Sequence, residues 1–278
     1  MVFLILAILS SAMISIMMRI SSDKISANLS MLAINYVVCA LLGAGYAGFR
    51  VVLPAAEDFS VAVWLGLISG VLYLAGFVLF QRNVRRNGIV LTSIFMKLGL
   101  LVPIVLSVLL FREVPTASQI TGFCIAIFAI VLLNLKKERS GAGFGMGLLL
   151  MLLMCGGSDA MSKVFEVFGP AELSDPYLFY TFASAALLCL VLVVRKRERP
   201  GFRELLYGTL IGIPNFFSAK FLLGALTKLP AVVVYPSFSV ATMLIVTLTG
   251  VAVFRERLSK VQWVALGAII AALVLLNI

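Results

Sequence analysis

The sequence contains no histidine, and this absence excludes several kinds of active site. Histidine zinc sites, Ser-His-Asp and Cys-His triads, and the usual proton shuttle near neutral pH all need an imidazole. Charged residues are also scarce, at 12% of the 278 residues, against about 25% in an average soluble domain. Hydrophobic residues make up 62% of the chain. The composition therefore excludes a soluble enzyme and predicts a chain surrounded by lipid.

Cysteine chemistry and nucleotide binding are also without support. The four cysteines each lie in an apolar run and none belongs to a Cys-x-x-Cys pair, so we interpret them as small buried side chains. These are Cys39, Cys124, Cys155 and Cys189. Since the chain has no Gly-x-x-x-x-Gly-Lys-Ser/Thr run, ATP does not power a reaction from within it. We expect no cofactor, no metal and no catalytic residues.

Ten apolar runs are long enough to cross a bilayer, which requires about 20 residues. They cover residues 2–18, 29–48, 60–80, 87–111, 115–135, 145–165, 176–194, 205–227, 230–254 and 258–278. The runs lack the alternation of membrane β-strands, so the sequence predicts an all-α multi-pass membrane protein with ten transmembrane helices. No basic residue precedes the first run, which we interpret as a retained helix rather than a cleaved signal.

Basic residues alternate between the connections that join these runs. Odd-numbered connections contain 16 Lys and Arg, whereas even-numbered ones contain three. The positive-inside rule then places the odd connections in the cytoplasm and both termini outside, in a plasma (inner) membrane. The net charge of +10 mostly serves this topology, so we expect no nucleic-acid partner.

An internal repeat relates the two halves at an offset of 143 residues. Residues 111–135 and 254–278 are identical at ten of 25 positions, and both begin with Phe-Arg-Glu and end near Leu-Leu-Asn. One residue of slippage aligns two Gly-x-x-x-Gly pairs, a spacing that lets helices approach closely. These pairs are Gly66 with Gly70 and Gly208 with Gly212.

Each predicted repeat contains five spans, so the two repeats enter the bilayer from opposite sides. We place the first repeat at residues 1–137 and the second at residues 138–278, together forming one transport domain. Inverted repeats of this kind are typical of alternating-access carriers, which bind substrate near the midplane where the repeats meet.

This pattern resembles the EamA-like branch of the drug/metabolite transporter superfamily. Each half closes with an aromatic-Arg-Glu turn and a Gly/Ala-rich final helix, and Gly157-Ser158-Asp159 followed by Lys163 is similar to that group's first-helix pattern. The first half departs from it, with Ser10-Ser11 and no aligned lysine. The resemblance implies a central cavity lined by spans 1, 3, 4, 6, 8 and 9. It leaves the substrate open, because similar members move amino acids, nucleotide sugars, choline or drugs.

Four ionisable residues lie at bilayer depth, where a charge costs about 2.5–3.5 kcal/mol and is a functional candidate. Lys97, with Ser93 one turn before it, is predicted to contact substrate or a coupling carboxylate in a wet cavity, the alternative being a structural ion pair. Lys220 lies in a row of glycines and is a second substrate candidate, with snorkelling as its alternative. Asp159 and Lys163 are spaced as a neutralising pair. Alternatively, Asp159 pairs with Lys97 or Lys220 across the cavity and changes partner with substrate or proton.

Uncharged polar residues and prolines complete the predicted site. Tyr73 aligns with Asn215, so that both would face a shared cavity if the repeats are symmetric. Such side chains also commonly bond to their own backbone or to a neighbouring helix. The full set of uncharged substrate candidates is Ser93, Tyr73, Asn215, Tyr235, Ser239, Asn35 and Tyr36. The predicted hinges are Pro103, Pro214 and Pro236, which remove backbone hydrogen bonds within spans.

Together these features predict a secondary transporter, not an enzyme, that moves a small polar or amphipathic metabolite by alternating access. The deep charges sum formally to +2, which favours a carboxylate-bearing substrate such as an amino acid or a related compound. The alternatives are a cation or drug exporter of the same fold that uses Asp159, and a passive channel or lipid flippase. Expected partners are a small-molecule substrate, the lipid bilayer and a proton or another coupling ion. Homo-oligomerisation and the direction of transport stay open.

Overall fold

The computed structural model describes residues 1–21, 24–48, 57–87, 92, 95–96, 98–134, 146–253 and 260–276. Over these ranges the chain forms ten α-helices. They are α1 (Val2–Ser21), α2 (Asn28–Tyr46), α3 (Glu57–Asn87), α4 (Leu101–Phe111), α5 (Ala117–Asn134), α6 (Met146–Phe168), α7 (Ser174–Lys196), α8 (Phe202–Leu226), α9 (Ala231–Ala252) and α10 (Lys260–Leu276). A 3₁₀ turn at Ala171–Leu173 precedes α7.

Within the described ranges, seven helices are long and apolar enough to cross a membrane, namely α1 to α3 and α6 to α9. The remaining helices, α4, α5 and α10, contain shorter apolar segments. The predicted all-α, multi-pass class therefore matches the structure, because apolar runs of this length satisfy their backbone hydrogen bonds in lipid only as helices. A total of ten spans, and the inversion of the repeats, remain predictions.

Helix α3 is longer than the run 60–80 that predicted it, since it begins at Glu57 and continues to Asn87. At a rise of 1.5 Å per residue its 31 residues extend over about 46 Å, which exceeds the hydrocarbon thickness of about 30 Å. Arg82 and Arg86, which were counted in a connection, lie in the last turns of this helix. The helix therefore continues into the polar region of the bilayer.

The span predicted at 87–111 is interrupted in the structure. Gly99 and Leu100 form a turn, and α4 begins only at Leu101. Proline has no N–H, so Pro103, in the first turn of α4, cannot donate to the carbonyl oxygen of Gly99. The N–H of Val102 occupies that oxygen instead, at 3.0 Å. This first-turn position suits proline, and a hinge at Pro103 stays a prediction.

The helices group into two compact units. Unit 1 comprises residues 1–74 and 161–227, and unit 2 comprises residues 75–160 and 228–278. Each unit therefore draws helices from both predicted repeats. The predicted boundary between the repeats, at residues 137 and 138, lies outside the described residues, and the repeat limits stay a prediction.

In unit 1, α1 packs on α8, and α2 packs on both α7 and α8. In unit 2, α5 packs on α10, while α9 contacts α4, α5 and α10. Both α2 with α7 and α5 with α10 are pairs of helices that occupy corresponding places in the two predicted repeats. Such pairing is what a twofold relation between repeats produces.

The two aligned glycine pairs pack in the same way within unit 1. A Cβ added at Gly66 would lie 2.9 Å from the carbonyl oxygen of Tyr177, and one added at Gly208 would lie 2.8 Å from that of Met31. A side chain at either glycine would therefore push two helices apart.

The partners of the glycines also correspond, at a constant offset of 146 residues. The α3 pair meets Tyr177, Tyr180, Thr181 and Ser184 of α7. The α8 pair meets Met31, Ile34, Asn35 and Val38 of α2. The packing of α3 on α7 is thus repeated by the packing of α8 on α2.

Carboxylates close one end of unit 1 by bonding to the start of α2. Glu204 accepts hydrogen bonds at Oε1 from the N–H groups of Ser26 (3.1 Å) and Ala27 (3.3 Å). Glu198 accepts from the N–H of Ser30 at 3.1 Å. Because the first N–H groups of a helix have no partner within it, these carboxylates satisfy them and favour the positive end of the helix dipole.

In unit 2, the glutamate of the first Phe-Arg-Glu turn also accepts a hydrogen bond at the start of a helix. Arg112 ends α4 in the left-handed conformation, with φ of 54°. Glu113 then accepts a hydrogen bond at Oε2 from the N–H of Ala231, the first residue of α9, at 2.8 Å. The shared glutamate of the motif therefore connects the end of one helix to the start of the helix at the corresponding place in the other repeat.

Contacts in unit 1 join connections of the same predicted side. The first and seventh connections meet through Ser26 and Glu204, and both are odd-numbered. At the opposite ends of the helices, Asp175 in the first turn of α7 meets Lys220 near the end of α8. This arrangement agrees with alternating helix directions. Which of the two sides faces the cytoplasm stays a prediction.

Candidate functional site

Four of the predicted substrate contacts come together in the middle of unit 1. The hydroxyl of Tyr73 donates to Oδ1 of Asn215 at 3.4 Å, and Nδ2 of Asn215 donates to Oδ1 of Asn35 at 3.2 Å. The ring of Tyr36 meets that of Tyr73 edge-on, with 5.7 Å between centroids. We call these four residues the axis cluster.

Burial explains why these amides bond to each other. Asn35, Tyr36 and Asn215 are buried, whereas Tyr73 is 36% exposed. A buried amide without a hydrogen bond is costly, so the bond between Asn35 and Asn215 allows both to lie inside the helix bundle. Of the four, Tyr73 alone presents substantial surface.

Aromatic rings that were not among the predicted contacts surround this cluster. Phe182 of α7 lies 6.5 Å from the ring of Tyr36 and 6.2 Å from that of Tyr73, measured between centroids. Phe216 of α8 lies 6.4 Å from Phe182. The cluster therefore combines amide and phenol groups with aromatic faces.

The cluster lies beside a local twofold axis of unit 1. Tyr36 and Phe182 are equivalent at the offset of 146 that relates α2 to α7, and their rings stack. Tyr73 and Asn215 are equivalent at the offset of 142 that relates α3 to α8, and they are hydrogen-bonded. Residues at equivalent positions contact each other only next to a twofold axis.

Lys220 occupies a second polar cluster, nearer one end of unit 1. Its Nζ lies 2.7 Å from Oδ1 of Asp175 and 3.7 Å from the ring centroid of Tyr46. The ring of Phe216 is 6.0 Å away. About a quarter of the side chain of Lys220 and of Asp175 is exposed. We call Lys220, Asp175 and Tyr46 the lysine cluster, in which an ion pair and a cation–π contact hold the ammonium.

Lys163 has an ion-pair partner on its own helix, Glu166. The lysine is buried in unit 1, and its Nζ lies 2.6 Å from Oε2 of Glu166. Asp159 belongs to unit 2, where its main-chain carbonyl accepts a hydrogen bond from the hydroxyl of Tyr235 at 2.6 Å. The predicted pairing of Asp159 with Lys163 stays a prediction.

Helix α9 carries the other predicted polar contacts. Tyr235 is buried, and Ser239, one turn further on, is half-buried. In the part of the chain that the structure describes, Oγ1 of Thr242 on α9 and Oγ of Ser107 on α4 are buried without a hydrogen-bond partner. Ser107 was not predicted, because nothing in its sequence context separates it from a helix-bonded serine.

Two predicted residues, Lys97 and Ser93, lie outside the described residues. Pro214 and Pro236 are both buried inside continuous helices, α8 and α9, and their role as hinges stays a prediction. Over the described residues, no group of three or more His, Cys, Asp or Glu is placed to hold a metal ion.

The family model of the EamA-like transporter family matches residues 1–135 and, a second time, residues 143–278. The chain belongs to this family. It is therefore a multi-pass membrane protein of a transporter family, and the resemblance noted in the sequence is correct. Each match covers most of one predicted repeat.

Two individual proteins are similar to this chain over nearly its whole length. An uncharacterized protein of Haemophilus influenzae is 25% identical over 272 residues, which cover 95% of this chain and 93% of that protein. A protein of known crystal structure superposes with a TM-score of 0.74 at 15% identity, covering 99% of this chain and 94% of the other. At that identity the second similarity concerns the fold alone.

Proposed function

We propose that this EamA-like transporter is a secondary transporter that moves a small polar or amphipathic metabolite by alternating access, with the axis cluster as part of its substrate site. The observation that supports this most directly is the hydrogen-bonded chain from Tyr73 through Asn215 to Asn35. It lies where helices of the two repeats meet in unit 1, the place at which carriers with repeated halves bind substrate.

The chemistry of the axis cluster suits a small molecule with both polar and apolar parts. The phenol and the two amides offer donors and acceptors, and the rings of Tyr36 and Phe182 offer apolar faces. Substrate would take the place of the bond between Tyr73 and Asn215, which at 3.4 Å is longer than the bond between Asn215 and Asn35 and involves the one exposed residue of the cluster.

The proposed preference of the site for a carboxylate-bearing substrate depends on Lys97. Two of the three deep lysines have carboxylate partners in the structure, Lys163 with Glu166 and Lys220 with Asp175. Their charges are therefore largely compensated, which leaves Lys97 as the candidate for recognising the carboxylate of an amino acid or a related compound. A Lys97→Gln variant should lose uptake of anionic or zwitterionic substrates.

Counterflow in proteoliposomes tests the proposal. Vesicles loaded with an unlabelled amino-acid mixture should accumulate the labelled mixture from outside, because a carrier exchanges substrate across the bilayer whereas a channel does not. The variants Tyr73→Phe and Asn215→Ala should each reduce this counterflow at least about tenfold, since one hydrogen bond to substrate is worth roughly 1.4 kcal/mol or more.

A matched control is Tyr207→Phe, two turns before Asn215 on the same helix and outside the axis cluster. Counterflow should be unchanged in this variant. Full counterflow in Tyr73→Phe and Asn215→Ala would contradict a substrate role of the axis cluster. Efflux without exchange would indicate a channel.

Because Lys163 and Lys220 are paired with carboxylates, a second function is also supported, that of a cation or drug exporter. If the deep region carries no excess positive charge, Asp159 becomes the group to attract a cationic substrate. This candidate predicts that Asp159→Asn abolishes efflux of a labelled quaternary ammonium compound while Lys97→Gln retains it. The opposite pattern supports the carboxylate substrate. Imposing a proton gradient in the same vesicles tests whether a proton is the coupling ion.

A further inference from the structure

A basic cavity lies at the end of α3 in unit 2, and none of its described lining residues belongs to the axis cluster or the lysine cluster. It has a volume of about 500 Å³ and is lined by Leu79, Arg82, Asn83, Arg86 and Gly147. Among the described residues that line it, none carries a negative charge. A volume of this size is within the range of small-molecule sites, roughly 300–1,000 Å³.

Asn83 connects the two helices that line the cavity. This residue is buried, and its Nδ2 donates to the carbonyl oxygens of Leu79 and Gly147, both at 2.9 Å. A Cβ at Gly147 would lie 2.9 Å from Oδ1 of Asn83, so α6 and α3 approach each other closely at this point. The cavity is therefore part of a fixed contact between two helices.

The two arginines suit a phosphate group. Arg82 and Arg86 are exposed and are spaced one turn apart, which places their side chains on the same face of α3. A guanidinium binds phosphate oxygens through two parallel hydrogen bonds, with a geometry that an ammonium does not offer. Two guanidinium groups at one cavity can bind both free oxygens of a phosphate diester.

The depth of the arginines points to a lipid as the source of the phosphate. The apolar part of α3 covers Ser60–Phe80. Arg82 and Arg86 follow its end by two and six residues, which is about 3 and 9 Å along the helix. The headgroup region occupies roughly 5–8 Å on each side of the hydrocarbon. Leu79 lies on the hydrocarbon side of the cavity and the arginines on the water side, in the order of the parts of a phospholipid.

We propose that this cavity binds the phosphate diester of an anionic phospholipid, with Arg82 and Arg86 on the phosphate and Leu79 toward the acyl chains. Topology alone would require basic residues here but no cavity around them. The predicted orientation places this end of α3 at the cytoplasmic leaflet, which is rich in anionic lipid. The proposal does not depend on the identity of the transported substrate.

Lipid titration of the purified full chain in detergent tests the proposal. Dioctanoyl phosphatidylglycerol is the probe, and dioctanoyl phosphatidylcholine, which has the same chains without net charge, is its control. Binding is followed by the midpoint of thermal unfolding and by native mass spectrometry of lipid adducts. Arg82→Gln/Arg86→Gln should weaken binding of phosphatidylglycerol about 30-fold, since losing each direct guanidinium–phosphate hydrogen bond should cost about 1 kcal/mol.

A matched control is Arg195→Gln/Arg199→Gln, which removes the same charge from another pair of exposed arginines. This variant should bind phosphatidylglycerol as the wild type does. If the first double variant folds poorly, Arg82→Lys/Arg86→Lys is the second test, because it keeps the positive charge. It should bind phosphatidylglycerol about fivefold more weakly than the wild type, since an ammonium cannot make the two parallel hydrogen bonds of a guanidinium. Equal binding by wild type and both Arg82/Arg86 variants would overturn the proposal. Inorganic phosphate stabilising the protein as strongly as phosphatidylglycerol would overturn the assignment to lipid.

Discussion

The two polar clusters of unit 1 solve the problem of polar groups in a membrane in different ways. The axis cluster is uncharged, buried and bonded side chain to side chain, from Tyr73 to Asn215 to Asn35. The lysine cluster is charged and about a quarter exposed, and pairs Lys220 with Asp175 near the ends of their helices. Neutral groups can therefore lie at mid-depth when they bond to each other, whereas the charges lie where water can still reach them.

The largest effect is expected from separating the helices that carry the axis cluster. In Gly212→Ala the new methyl group would lie 2.8 Å from Cβ of Val38 and 2.9 Å from the carbonyl oxygen of Asn35. We expect the free energy of unfolding in detergent to fall by about 3 kcal/mol, from overpacking and from the lost bond between Asn35 and Asn215. Gly45→Ala on α2 is the control, because a Cβ there meets nothing within 4 Å. Equal stability of the two variants would contradict the packing of α8 on α2.

Removing one amide should have the next largest effect. Asn215→Leu leaves the buried Oδ1 of Asn35 without its amide donor, which should cost about 2 kcal/mol of unfolding free energy. Raising the salt concentration should leave this loss unchanged, because no charge is involved. Chemical unfolding in low and high salt measures both quantities, and a loss that salt abolishes would show that the axis cluster is not neutral.

Breaking the ion pair should matter less. Asp175→Asn removes the carboxylate that faces Lys220, and because both side chains are about a quarter exposed, the expected loss is about 0.5–1 kcal/mol. Here high salt should reduce the difference from wild type. Thermal unfolding at two salt concentrations tests this, and a loss as large as that of Asn215→Leu would remove the distinction between the clusters.

The smallest effect on stability is expected from Tyr73→Phe. Its bond to Asn215 is long, at 3.4 Å, and the phenol is partly exposed, so the loss should be about 0.5 kcal/mol. Counterflow should nevertheless fall strongly if the phenol contacts substrate. A change in stability without a change in transport would assign Tyr73 to structure alone.

The sequence predicted most of the helices, because an apolar run in a membrane has few other structures available. It failed where a helix extends beyond the apolar region, as α3 does through Arg82 to Asn87. Charge marks the edge of the hydrocarbon, but a helix does not have to end there. The prediction of one continuous helix over 87–111 was also wrong, because Gly99 and Leu100 form a turn. Such a turn depends on packing, which hydropathy does not report.

The sequence repeat predicted one contact of the axis cluster. Tyr73 and Asn215 align within the repeat, and the structure joins them by a hydrogen bond. Tyr36 and Phe182 were missed as a pair because α2 and α7 are related by 146 residues, whereas the later helices are related by 142 or 143. Differences in connection length shift the register, so a search at one fixed offset finds only the helices after the last insertion. The partner of Lys220 was missed because it depends on which helix ends meet.

The glycine pairs of unit 1 have a consequence for the origin of the chain. Gly66 and Gly70 pack on a helix of the second repeat, and Gly208 and Gly212 pack on a helix of the first. Neither half of the gene alone therefore encodes the surface that its own glycines fit. Expressed as separate polypeptides, the halves would have to find each other as the subunits of a dimer do, with the glycines as the interface. The single chain makes that encounter intramolecular and guarantees one copy of each half.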